Sequence, residues 1–278
     1  MQALSTSEQM MFSTLRLRTS TGSGTGFFFN FSTPQGIIPL IVTNKHVING
    51  KPRETVGFEI HLDGNDFKTL EFHRISYETN WIHHPRCDLA ACFAADLFKT
   101  VETTYGRGPF CLPLHEDIIA TNDKLNQLSA LEEVTMVGYP QGLCDEAHGL
   151  PIFRKGYTAS HPAIDFNGKP IGLMDIAGLW GSSGSPIFIY NQSGYSDRHG
   201  NTYLGKGRLI FLGIQYAIPT YTAEGKIEIK VIPTDMTPVP VAKTTQPMNL
   251  AYYIKAKEIL WFKDYIMNKV LGSSSNMK

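Results

Sequence analysis

Short runs rich in Val, Ile, Phe and Tyr recur along most of the chain, broken by Gly, Pro, Asn and Asp. Runs of this length and make-up predict strands. "FSTLRLRT", "TGFFFNF", "GIIPLIVTN", "TVGFEIHL", "KTLEFHRI" and "DLAACFA" come first. From Tyr105 to Leu131 the text is longer and less strand-like, as in a connection between two halves. Strand signals resume with "EVTMVGYP", "PIFRKGYTAS", "PIGLMDIAG", "SPIFIY", "GRLIFLGIQYAI" and "KIEIKVIP". Many short strands in two groups predict a pair of antiparallel barrels or sandwiches.

The end of the chain changes period. After the Pro/Thr-rich "PTDMTPVPVAKTTQP", the stretch "NLAYYIKAKEILWFKDYIMNKVL" spaces Leu250, Ile254, Ile259, Phe262 and Ile266 at helical intervals. Asn249 stands where a cap would start that helix. The division expected is a first β-unit over 1–110, a connection over 111–131, a second β-unit over 132–248, a helix over 249–271 and a disordered tail over 272–278.

Composition narrows the function classes only a little. The 25 basic and 25 acidic side chains cancel, so no global field favours nucleic acid or an anionic membrane. No basic n-region followed by an apolar run opens the chain, and no run is long enough to span a bilayer. A cytoplasmic protein with reduced thiols is expected. Cys87, Cys92, Cys111 and Cys144 form no CxxC pair and no zinc spacing. No metal or cofactor is called for.

Three stretches carry candidate chemistry. "LIVTNKHVING" puts His46 just past an apolar strand, "HPRCDLAACF" puts Asp88 at the start of another, and "WGSSGSPIF" offers Ser183 between two glycines. A serine hydroxyl is a weak nucleophile until a base takes its proton, and a carboxylate orients that base. Gly181 and Gly184 let the backbone fold sharply, so that N–H groups can converge on an oxyanion. The order His–Asp–Ser belongs to a double β-barrel; a parallel α/β sheet with a nucleophile elbow would require Ser–Asp–His. "GSGTG" is not a phosphate loop, because the strand-like "FFFNF" follows it where a helix is needed.

The chain resembles the chymotrypsin-like serine protease family, and in texture its bacterial, high-temperature-requirement-like branch. "GSSGSP" is similar to the family's G-x-S-G-x-P motif, "VTNKHV" to T-x-x-H-V and "DLA" to D-[IVL]-A. "GSGTGFFF", "VGYPQG" and "FLGIQYAIP" resemble further segments in order. The resemblance implies two antiparallel six-stranded β-barrels with a C-terminal α-helix. It implies His46 as general base and acid, Asp88 as its orienting partner and Ser183 as nucleophile. The backbone N–H groups of Gly181 and Ser183 would form the oxyanion hole, and a protein or peptide would be the substrate.

Departures from the family qualify that picture. The digestive members carry Asp just before the serine, paired with a new N-terminus after cleavage; Ser182 stands there instead. Activation without N-terminal cutting is expected, with a partner, substrate or oligomer ordering the loops. Ala177 occupies the place where a trypsin-like specificity needs a carboxylate. With Tyr216, Ala217 and Ile218 along the pocket, small or medium apolar side chains are expected to be preferred. The rivals are a catalytically silent binding or sensing module and an esterase on the same barrels. The remaining histidines, His61 and His84 among them, read as loop or surface residues. Cys87 reads as packing, and Leu179 with Trp180 as support for the serine loop.

Overall fold

The computed structural model describes residues 4–64, 70–226 and 241–271. The part of "KIEIKVIP" beyond Lys226 and the expected disordered tail lie outside the described residues. In the first half, β1 (Thr14–Thr19), β2 (Gly22–Thr33), β3 (Gly36–Thr43), β4 (Arg53–Leu62), β5 (Phe72–Asn80), β6 (Ile82–His83) and β7 (Ala90–Phe93) form one sheet, in the order β5-β4-β1-β2-β3-β7-β6. Two short strands, β8 (Pro109–Phe110) and β9 (Leu114–His115), join it at β4 and β2. The architecture is all-β as expected, but this half does not close by strand pairing among the described residues. Its two end strands, β5 and β6, are separated only by Trp81. The chain itself turns that corner, where the Trp81 N–H donates to Pro52 O at 2.7 Å and the indole is buried.

The second half is a closed barrel. It comprises β10 (Glu133–Gly138), β11 (Ile152–Thr158), β12 (Ile171–Asp175), β13 (Pro186–Asn191), β16 (Arg208–Ala217) and β19 (Leu250–Lys255). Two hairpins stand off it, β14 (Gly194–Ser196) with β15 (Thr202–Leu204), and β17 (Thr220–Lys226) with β18 (Val241–Pro247). Among the described residues four α-helices decorate the sheets: α1 (Thr6–Ser13), α2 (Ala94–Tyr105), α3 (Asn122–Asn126) and α4 (Leu260–Ile266).

The expected helix over 249–271 is corrected in its first part. Leu250–Lys255 is the sixth strand of the second barrel, pairing with β12 on one side and β16 on the other. Ala251 and Tyr253 point into the barrel core while Ile254 packs outside it, an alternation that only a strand delivers. Asn249 does not cap a helix; it sits at φ 59° where the chain turns into the strand. Closing the barrel satisfies two ladders of backbone groups, which outweighs a helical spacing of five apolar residues. The helix proper begins at Leu260 and turns Phe262 and Ile266 onto the core.

Strand alternation also explains how the halves meet. In "FFFNF", Phe28 faces the interior of the first half, whereas Phe27, Phe29 and Phe31 face the second. All four rings are at most 4% exposed, the pattern of a strand buried on both faces. Phe211 of β16 answers from the other side, its ring centroid 5.4 Å from Phe27 and 5.6 Å from Phe188. Ile259, Phe262 and Ile266 complete this shared cluster. Among the described residues no helix is long and apolar enough to cross a membrane.

Truncating Phe211 removes the ring that joins the two halves. Phe211→Ala is expected to cost about 3–5 kcal/mol in urea unfolding, with both halves losing structure in one transition.

Candidate active site

The three candidate side chains come from three strand ends around the seam. β3 stops at Thr43, and a 3-10 turn, Lys45–Ile48, lifts His46 outward while Val47 and Ile48 stay buried as its anchor. Asn49 closes that turn at φ 57°, a left-handed conformation that asparagine tolerates. Asp88 lies two residues before β7 in a loop knitted by His84. The His84 N–H donates to Leu89 O at 2.9 Å, and its Nδ1 accepts the N–H groups of Cys87 at 2.9 Å and Arg86 at 3.3 Å. Asn44, fully buried, donates from Nδ2 to Asp88 O at 2.7 Å.

The Asp88 carboxylate grips His46 twice. Oδ2 lies 2.5 Å from Nδ1 of the ring, and Oδ1 accepts the His46 backbone N–H at 3.2 Å. A carboxylate at that distance makes Nδ1 the protonated nitrogen and leaves the Nε2 lone pair free. His46 and Ser183 line one cleft of about 650 Å³.

The serine loop is a succession of backbone bonds that turn on two glycines. Gly181 and Gly184 have φ 82° and 88°. A Cβ on Gly184 would lie 1.9 Å from Thr25 O, so no other residue fits there. Ser182 N–H donates to Leu179 O, Ser185 N–H to Ser182 O, and Gly184 N–H to Gln215 O. Ser182 and Ser185 are fully buried, whereas Ser183 is partly exposed and lines the cleft. Among the described residues, the N–H groups of Gly181 and Ser183 donate to no protein acceptor. Trp180 O accepts the Gln141 N–H, and among the described residues no peptide bond is cis. The Gly181 N–H across that trans peptide therefore points away from Gln141.

Thr25 is the residue that sequence reasoning missed. Its N–H donates to Ser183 O at 2.9 Å, its hydroxyl donates to Gly181 O at 3.1 Å and accepts the Tyr139 N–H at 3.1 Å, and its carbonyl accepts the Thr43 hydroxyl at 2.7 Å. Its signal was the small "GSGTG" ahead of the phenylalanines, which read only as a strand opening.

Tyr216, Ala217 and Ile218 line the cleft; Ala177 does not. A Cβ on Gly178 would stand 2.7 Å from Ile218 Cγ1, so the Ile218 side chain packs directly against that glycine. Trp180, expected to support the serine loop, is instead 76% exposed at the cleft edge. Its own carbonyl accepts the Gln141 N–H, so the backbone of Trp180 and not the indole ties it to the turn.

Two histidines expected at the surface are buried. His84 is 1% exposed and His61 9%, the first beneath Trp261 and Phe262, the second beside Phe12 and Phe72. The C-terminal segment and α1 cover them, contacts that local sequence does not announce. His84, Cys87 and Glu258 bring their ligand atoms within 4.8 Å of one another. Because His84 Nδ1 accepts two N–H groups, Nε2 carries the proton and faces Glu258 at 3.7 Å. That donor set suits an N–H directed at a carboxylate and not a metal ion. Burial and the Glu258 charge push the Cys87 thiol up to about 12, so it is packing and not a nucleophile.

Burial holds both His61 and His84 below the usual imidazole value of 6.5. The unfolded chain then binds protons that the folded chain refuses, so stability is full above that value and is lost as pH falls through it. Unfolding free energy is expected to decline as pH drops from about 6.5 towards 5. His61→Gln, which keeps a donor for the His148 carbonyl bonded by His61 at 2.6 Å, should flatten that decline in urea titrations.

A search of curated proteins gives no match. Among solved structures, similarity is found to Rv3671c from M. tuberculosis, a serine-to-alanine mutant in an inactive form. The identity is 14%, over 95% of this chain and 90% of that one, with a TM-score of 0.42. A scabies mite inactivated protease paralogue is 10% identical over 93% of this chain and 96% of that one, with a TM-score of 0.43. Identities and scores this low bear on neither activity nor site. The family model for the trypsin-like peptidase domain matches residues 24–195, which takes in all three candidate side chains, both glycines of the serine loop and Thr25. The chain belongs to the trypsin-like peptidase domain family.

Proposed function

We propose that the protein is a serine endopeptidase that cleaves peptide bonds through an acyl-enzyme. The observation that carries this reading is the 2.5 Å contact of Asp88 with His46 Nδ1, on a ring that shares its cleft with Ser183. Ser183 Oγ attacks the substrate carbonyl carbon as its proton passes to His46 Nε2. Asp88 steadies the imidazolium. The N–H groups of Gly181 and Ser183 receive the oxyanion. As the intermediate collapses, the C–N bond breaks and His46 gives its proton to the departing amine. Water then repeats the sequence on the acyl-enzyme, releasing the acid and restoring the serine. Kinship with the high-temperature-requirement-like branch rests on the three sequence motifs alone.

Specificity follows from the walls of the cleft. Among the described residues no Asp, Glu, Lys or Arg lines it, so a charged residue would enter without an ion-pair partner at considerable cost. Tyr216, Ala217 and Ile218 act as the pocket wall. Ile218 packed against Gly178 favours small apolar residues before the scissile bond over medium ones. Ala177 is not among the residues that line the cleft, and it brings no charge there.

A fluorophosphonate probe is expected to label the wild type on Ser183 and to leave Ser183→Ala unlabelled. Asp88→Asn should lower kcat by about four orders of magnitude while the fold is kept. A well-folded wild type that resists the probe and cleaves no peptide would point to the silent binding module instead. Turnover of esters without peptides would point to the esterase.

Opening the wall tests the pocket. Ile218→Gly should raise kcat/KM for a large apolar residue relative to a small one by about 10-fold or more, measured on a matched peptide pair. An unchanged ratio would place the specificity pocket elsewhere.

A further inference from the structure

The turn that supplies the Gln141 N–H to Trp180 O rests on the first half of the molecule. In "TLRLRT" the two leucines fill the first core, so Arg16 and Arg18 face outward. Yet Arg16 is only 9% exposed, with Gly142 and Cys144 of the second half lying against its guanidinium. A Cβ on Gly142 would lie 2.2 Å from Arg16 Nη2, so the guanidinium packs directly against that glycine, whose φ is 72°. Arg16 Nη1 also reaches Cys144 Sγ at 3.8 Å.

The guanidinium is anchored from below. Glu59, paired with Arg16 across β1 and β4, is 3% exposed and lies 3.7 Å from Arg16 Nη1. Arg18 and Arg74 bind the same carboxylate. Further along, His61 holds the His148 carbonyl, and the Phe72 ring lies 2.2 Å from where a Cβ on Gly149 would stand. Gln141 itself sits at φ 52°, a left-handed conformation that glutamine does not adopt unsupported.

We propose that Arg16, anchored by Glu59, is a positioning residue for the oxyanion hole. It holds the turn from Tyr139 to Leu143 so that the Gln141 N–H engages Trp180 O and the Gly181 N–H is kept turned away from that turn. This rests on the peptidase reading for its catalytic consequence, but not for the structural coupling. It also assigns an internal residue to the ordering of the serine loop, where buried Ser182 offers no charge for an ion pair. A donor that engages only the transition state affects kcat and not ground-state binding.

Arg16→Met is compared with Arg74→Met, which also removes a guanidinium from Glu59 but from a side chain that does not touch the turn. Melting temperatures confirm that each variant is folded. Two quantities are read: kcat and KM on a peptide, and hydrogen exchange at the Gln141 amide by NMR. Arg16→Met should lower kcat by about 10-fold or more with KM within about twofold, and should speed Gln141 exchange by about 10-fold. Arg74→Met should leave both near wild type, and Arg16→Lys should fall between. If Arg16→Met does not fold, Arg16→Lys carries the same readouts, because it keeps a cation for Glu59 without the planar fork. Unchanged Gln141 exchange in the folded Arg16 variant, or equal effects from Arg74→Met, overturns the proposal. A wild type without activity whose Gln141 amide still responds to Arg16 would sink the peptidase reading and leave the coupling standing. An active wild type with no response to Arg16 would do the reverse.

Discussion

One buried threonine ties the two halves together at the point where they must agree. Thr25 uses its N–H, hydroxyl and carbonyl on Ser183, Gly181, Tyr139 and Thr43. Three of those partners belong to the second half of the chain or to its serine loop, and one to the strand that leads to His46. In a buried site each unmade bond leaves a desolvated polar group, so the arrangement is nearly all-or-none. The glycine at 184 follows from it: with Thr25 O 1.9 Å from any added Cβ, the backbone can approach only where no side chain exists.

Around that tie, apolar burial provides the adhesion and polar bonds provide the register. Phe27, Phe29, Phe31, Phe188 and Phe211 share one cluster with Ile259 and Phe262 of the C-terminal segment. Non-directional burial of this kind would allow the halves to slide by an ångström. The Thr25 bonds to Ser183, Gly181 and Tyr139 and the His61 bond to the His148 carbonyl, all of which cross between the halves, do not. A nucleophile and a base carried on different halves need that second kind of constraint, because a small misplacement costs orders of magnitude in rate.

Electrostatically the site is sparse. Asp88 is the carboxylate on the imidazole, with its side chain 30% exposed, and among the described residues no Asp, Glu, Lys or Arg lines the cleft itself. The dense charge clusters lie one layer away, Glu59 with its arginines on one side and Glu258 with His84, Cys87 and Arg86 on the other. Both clusters sit beneath loops that present site residues. Charge in this molecule is used more to hold loops than to meet a ligand.

Much of the architecture was legible in the chain because strands write an alternation that local reading can detect. The grouping into two halves and the His46, Asp88, Ser183 order were both visible, and the structure puts the first two in contact and the third in the same cleft. Two helices were legible but unread: α1 is announced by the Ser5–Glu8 capping box, and α2 by Ala94, Leu97 and Val101 on one face. What tertiary structure alone decided is of another kind. "LAYYIK" became a strand because a barrel lacked its sixth member, a need that exists only once the other five have paired. His61 and His84 were buried by elements distant in sequence, and Thr25 gained its role from a loop more than a hundred residues away. Local periodicity records how a segment folds on itself and which face it will bury. Which partner that face meets, and which carbonyl a buried donor finds, is set by packing between segments whose separation along the chain carries no such record.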